Sequence, residues 1–137
     1  MGWFDPVAAS ELEEESSMKP PKEFTAKARE VIRKRSGGIC EACGKVPAAQ
    51  VHHRLYKSRG GRGNVANGLH VCGFGNAGGC HGIAHTAKGE QQGWSIRSGG
   101  DPVSMPATVP VSHAVHGLVK FDDLGGFEAT NGYGVAY

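Results

Sequence analysis

Four cysteines and seven histidines offer the most chemistry in this 137-residue chain. Cys40 and Cys43 stand two residues apart, a spacing that lets both thiolates of one turn face a single ion. Cys72 and Cys80 form a wider second pair, and glycines at 73, 75, 78 and 79 give the intervening loop access to the positive φ angles a wide knuckle demands. Together the four read as a structural zinc site, with two disulfides or unrelated buried thiols as the alternatives. Between and after these pairs come His52 and His53, Asn67, and then His81 and His85. On a helix, His81 and His85 lie one turn apart on one face and can meet one cation. Adjacent residues of a regular strand face opposite sides, so His52 and His53 share a site only where the strand ends or bulges. His70 reads as a packing or cross-strand hydrogen-bonding group. A third metal site at His113 and His116 has no cysteine or acid near it in sequence.

These side chains need a scaffold. The stretch from Phe24 to Arg35 reads as an amphipathic helix with Phe24, Ala28, Val31 and Ile32 on its apolar stripe, basic residues Lys34 and Arg35 in its last turn, and Gly37-Gly38 as its stop. Gln50 to Tyr56 is a β-rich run, Lys57 to Ala66 a polar Gly-rich loop, and Leu69 to Val71 a returning strand. A helix is expected from Cys80 to about Lys88, anchored by the cysteine turn against the strand that carries His52 and His53. Beyond residue 90, short apolar runs broken by Pro102, Pro106 and Pro110 have the grammar of hairpins and turns. The expected organisation is an acidic arm over 1–18, with Ser10 and Glu13 at capping-box spacing, a compact unit over 19–90, and a β-rich extension and tail over 91–137.

Hydrophobic residues make up 39% of the chain, aromatics 7%, and glycine contributes 22 residues, so the core must be small and something besides burial must stabilise it. The net charge of +2 hides a partition: residues 1–18 hold five acids and no base, whereas residues 19–63 hold twelve bases against three acids. That middle block suits a polyanion, although a solvated surface stripe is the plain alternative. No apolar run approaches a membrane span, and with no secretory leader the expected location is the cytoplasm. Arg54, Lys57, Arg59 and Arg62 flank the paired histidines in a loop that reads as solvent-seeking, placing them as DNA phosphate contacts. Lys27, Arg33 and Lys34 on the helix are candidates to extend that surface, with a plain solubility role the more ordinary reading for any single one. Trp3, Phe4 and Trp94 are candidates for stacking on bases, with core or anchor roles the more ordinary reading.

Over residues 24–88 the order Cys40-x2-Cys43, Val51-His52-His53-Arg54, Asn67 five residues before Cys72, and Cys80-His81 with His85 following resembles the HNH or ββα-metal endonucleases, in the zinc-stabilised form found among bacteriophages. The extension, with His116-Gly117-Leu118-Val119 and Asp122-Asp123-Leu124-Gly125-Gly126, is similar to that of actinobacteriophage members. The resemblance implies a small α+β fold with a zinc-stabilised ββα-metal core, an N-terminal helix and a β-rich C-terminal extension. It implies Cys40, Cys43, Cys72 and Cys80 as structural zinc ligands and His53 as general base. It makes Asn67 the brace of the loop and the residue that orients His53 by hydrogen bonding. His52 and His81 would hold one catalytic divalent cation, Mg²⁺, Mn²⁺ or Ni²⁺, with His85 an additional ligand. The wide second cysteine pair leaves the roles of His81 and His85 exchangeable. The implied activity is DNA phosphodiester hydrolysis to 5′-phosphate and 3′-hydroxyl ends, by nicking or double-strand cleavage. The implied setting is phage packaging beside the terminase large subunit, in the host cytoplasm, or a mobile element. The rival from another class is a zinc-dependent nucleic-acid-binding module without catalysis, which would leave His53 and Asn67 without a role. A third reading is an interaction protein whose arm and tail engage a large partner. Oligomeric state is open.

Overall fold

The computed structural model describes residues 19–73 and 78–130. The acidic arm with its capping-box pair, Trp3 and Phe4, positions 74–77 of the glycine loop, and the last seven positions lie outside the described residues. Helix α1 spans Ala26–Ser36, two residues inside the expected start, because Thr25 caps it: its Oγ1 accepts from the N–H of Ala28 at 3.0 Å. Gly37 closes the helix in the left-handed conformation, φ 68°. Phe24, Ala28 and Ile32 are buried along the expected stripe and pack with Val65, with Val31 and Val51 at the margin.

Strand β1, Gln50–His53, pairs antiparallel with β2, Gly68–Val71, in unbroken register that sets His52 opposite Leu69 and His53 opposite Gly68. The strand is shorter than the Gln50–Tyr56 run because the chain bends at Arg54 and Leu55 before a 3₁₀ turn over Lys57–Arg59. After β2 come two short helices in place of the single one expected: α2, Gly79–Ala84, and α3, Ala87–Gln91. The break falls at His85 and Thr86, where the Thr86 Oγ1 accepts from the N–H of Gly89 and starts a new helix. Strands β3 (Val111–His113), β4 (Gly117–Phe121) and β5 (Phe127–Ala129) form an antiparallel meander.

The β-rich part shares one core with what precedes it. Trp94, Val111, Val119 and Phe121 are buried with Cys40, Leu69, Val71, Cys80 and Ala84. Three buried charged side chains, Arg35, Glu41 and Arg54, cross the same interior. Arg35, in the last turn of α1 as expected, turns inward: it makes paired hydrogen bonds to Glu41, donates to the carbonyls of Val65 and Gly68, and stacks on Phe121 at 3.6 Å. Glu41 also accepts from His113 Nε2 at 2.9 Å and from the N–H of His70. Burial alone would raise the Glu41 carboxyl; the bonds from His113 and Arg35 outweigh it and hold the group at about 2. No helix among the described residues is long and apolar enough to cross a membrane.

Candidate metal centres and the histidine cleft

The two cysteine turns converge, with all four Sγ atoms within 4.8 Å of one another. A tetrahedral ion with Zn–S bonds of about 2.3 Å would draw the sulfurs together slightly, to edges of about 3.8 Å. All four thiols are free, and the N–H groups of Cys43 and Cys80 point at the sulfurs of Cys40 and Cys72, each at 3.4 Å. Gly73 and Gly79 take φ values of 98° and 56°, the left-handed turns expected at the ends of the wide knuckle. Burial pushes the Cys40 and Cys80 thiols up. It would do the same at Cys43, but the Lys45 N–H and the neighbouring thiols hold that group at about 7. Four crowded thiols cannot all ionise alone, and a divalent cation at their centre removes that obstacle. The cluster can hold a structural metal ion, and an all-sulfur tetrahedral set suits zinc.

The second cluster joins β1 to α2. One nitrogen from each of His52, His81 and His85 lies within 4.8 Å of the others, and the rings of His52 sit 4.9 Å and 5.0 Å from those of His81 and His85. His52 is 2% exposed, and its Nε2–H donates to the carbonyl of Trp94 at 2.8 Å, leaving Nδ1 as the lone-pair nitrogen. The Nδ1–H of His81 donates to Oε1 of Gln50 at 2.8 Å, leaving Nε2. Nε2 of His85 is buried without a hydrogen-bond partner. Two histidines oriented through their far nitrogens and a third with an orphaned buried nitrogen form a set that could hold a metal ion. Burial lowers all three pKa values, His52 to about 3, with neighbouring histidines adding to the effect at His52 and His81 and Arg59 at His85. The rings are therefore neutral at pH 7 and able to ligate.

His53 lines the same open cleft of about 420 Å³, with Val51, Tyr56, Lys57 and Ser58. No bulge was needed, because β1 ends at His53 and both side chains reach the cleft from its end. Its ring packs on Phe24 at 4.4 Å, and its Nε2–H donates to the Lys22 carbonyl at 2.7 Å. Burial lowers its pKa, so Nδ1 carries a free lone pair at neutral pH.

Asn67 does not orient His53. It is fully buried, its Oδ1 accepts from the N–H of Leu55, and its Nδ2 donates to the carbonyls of Leu55 and Arg62, so it braces the loop while the Lys22 carbonyl holds His53. Arg54 is not a phosphate contact. It is 0% exposed and spends its guanidinium on the carbonyls of Gly93, Ala66, Pro106 and Val109, and burial pushes its pKa down to about 9. Lys57 is exposed at the cleft rim, paired with Glu23. Arg59 is exposed, lies 4.4 Å over the Tyr56 ring and donates to the Ile96 carbonyl, while Tyr56 stacks on His85. Arg62 is half-buried and does not line the cleft.

Trp94 is buried with its indole N–H on the Ser112 carbonyl, a core residue. His70 hydrogen-bonds Ser36 through Nδ1. His113 spends both nitrogens, one on Glu41 and the other accepting from the N–H groups of Val115 and His116, which leaves no metal site there. Sequence reasoning missed Gln50, although it lies two residues before His52 and alternation puts the two on one face. No family model, curated protein or solved structure matches the chain.

Proposed function

We propose that this protein is a metal-dependent DNA endonuclease of the HNH type, with His52, His81 and His85 holding the catalytic cation and His53 acting as general base. The observation that carries the reading is the pairing of two histidine chemistries in one cleft: three neutral imidazoles converge on one point, and a fourth beside them is held through Nε2 with Nδ1 free. A bound divalent cation would supply charge stabilisation at a phosphate oxygen and at the leaving 3′ oxygen. His53 takes a proton from the attacking water at Nδ1, and its donation to the Lys22 carbonyl stabilises the imidazolium that results. Lys57 at the rim and Arg59 over the cleft residue Tyr56 attract the phosphate backbone. The ligand set contains three nitrogens and no carboxylate. That favours Mn²⁺, Ni²⁺ or Zn²⁺ over Mg²⁺, which prefers oxygen. The cysteine site is proposed to hold zinc in a purely structural role.

Supercoiled plasmid incubated with the protein and Mn²⁺ or Ni²⁺ tests the reading. The wild type is expected to cut, and His53→Ala to lose about 10²–10⁴-fold in rate while keeping its metal content and DNA affinity. A wild type that binds DNA and both ions but cuts under no cation would instead make this a zinc-dependent binding module.

A further inference from the structure

We propose that the groove between α1 and β1 carries the nucleic-acid backbone flanking the scissile bond, with Arg29 and Arg33 as its phosphate contacts. The proposal rests on the nuclease reading of the neighbouring cleft. The groove measures about 330 Å³ and is lined by Ala26, Arg29, Glu30 and Arg33 from the helix, Ala49, Gln50 and Val51 from the strand side, and His70. Val51 lines both this groove and the histidine cleft, so the two adjoin at that residue. Gln50, in the same wall, holds His81. Arg29 approaches the ring of Phe24 at 6.0 Å, and Phe24 packs on His53, which puts a guanidinium one side chain away from the general base.

Arg29 and Arg33 are one turn apart on the helix, about 6 Å along its axis, a separation commensurate with successive phosphates of one strand. Glu30 is the one acid among the lining residues, and both its oxygens are engaged by Arg33. That pair is about half exposed on each side, so it stabilises the fold little and can be exchanged for a phosphate. On the opposite flank of α1, Lys27 lies with Lys19 and Asp123 in a second groove that is otherwise walled mainly by apolar residues, among them Pro20, Pro21, Val31 and Val65. Both flanks of the helix therefore carry two bases and one acid, and the flank with Arg29 and Arg33 is the one that shares a lining residue, Val51, with the histidine cleft.

Arg29→Ala and Arg33→Ala, with Lys27→Ala as the control on the far side of the same helix, test the assignment. Binding of a DNA duplex is measured against salt in a His53→Ala background without added cation, and hydrolysis of plasmid and of bis(p-nitrophenyl) phosphate in the otherwise wild-type chain. Each groove substitution is expected to reduce the log–log salt slope by about 0.9. Each should raise KM for plasmid severalfold at unchanged kcat, leave hydrolysis of the small diester unaltered, and have no counterpart in Lys27→Ala. Wild-type slopes in both arginine variants, or an equal loss in all three, would overturn the proposal. So would a parallel loss of diester hydrolysis, which would place the arginines in the cleft chemistry. If the wild type hydrolyses neither substrate the nuclease reading fails, and the salt slopes still decide whether the groove binds DNA.

Discussion

The orientation of each histidine follows from what its second nitrogen touches. Gln50 fixes His81 by accepting its Nδ1–H, so Gln50→Ala is expected to weaken binding of the second ion by about 10–100-fold with the cysteine site unchanged. Equilibrium dialysis of the zinc-loaded protein against Ni²⁺ measures this. Arg54 presents the opposite case. Its position after the paired histidines and before a Gly-rich loop reads as a phosphate contact, yet its acceptors are backbone carbonyls as far as 55 residues along the chain, and carbonyl positions have no sequence signature. Arg54→Met leaves four carbonyls without that donor and is expected to cost about 3–5 kcal/mol in chemical denaturation. The clustering of the four cysteines and of His52, His81 and His85 was legible because residue type and spacing constrain them together; the roles of Asn67 and Arg54 were not, because both depend on which distant backbone they meet.

At the scale of elements, the stripe of α1, the two strands and the cysteine turns could all be read from periodicity and punctuation. The joint between α2 and α3 could not, since a threonine inside an otherwise helical run shows as a cap only once the chain has turned. The helices meet tightly there. A Cβ at Gly89 would lie 2.4 Å from the Ala84 carbonyl oxygen, one residue before His85 of the histidine cluster. Gly89→Ala is therefore expected to destabilise the fold by about 1–3 kcal/mol and to weaken the histidine site more than the cysteine site, read by thermal melts with and without Ni²⁺. The cysteine turns hold β2, α2 and the start of the chain's core on one cluster. Chelation of the zinc proposed for that cluster is expected to abolish cooperative unfolding near room temperature, as structural zinc contributes about 10–16 kcal/mol in small metal-folded domains.

For the molecule as a whole, the interior carries more charge than a core this small would ordinarily accept, and that sets its response to pH. His52 is neutral when folded, at about 3 against an ordinary value near 6.5, so its contribution is complete above about 6.5 and is lost as pH falls toward 3. Glu41, held at about 2, contributes fully above its ordinary value near 4.5 and is lost on the way down to 2. Both act in one direction, so stability and affinity for the second ion should decline together below about pH 6.5, the first seen by denaturant midpoint and the second by metal titration. The basic middle block reads differently in three dimensions than along the chain. Arg35 and Arg54 are spent inside, while Lys57 lines the cleft, Arg59 lies over the cleft residue Tyr56, and Arg29 and Arg33 line the adjoining groove.

The most direct test of a hydrolytic metal centre in the histidine cleft is plasmid cleavage followed during stepwise addition of Ni²⁺ or Mn²⁺ to protein loaded with one zinc. Cleavage is expected to rise with occupancy of a second site and to vanish in His52→Ala, which keeps its zinc and its fold. Cleavage that is complete with the first ion alone, or that survives in His52→Ala, would contradict the account.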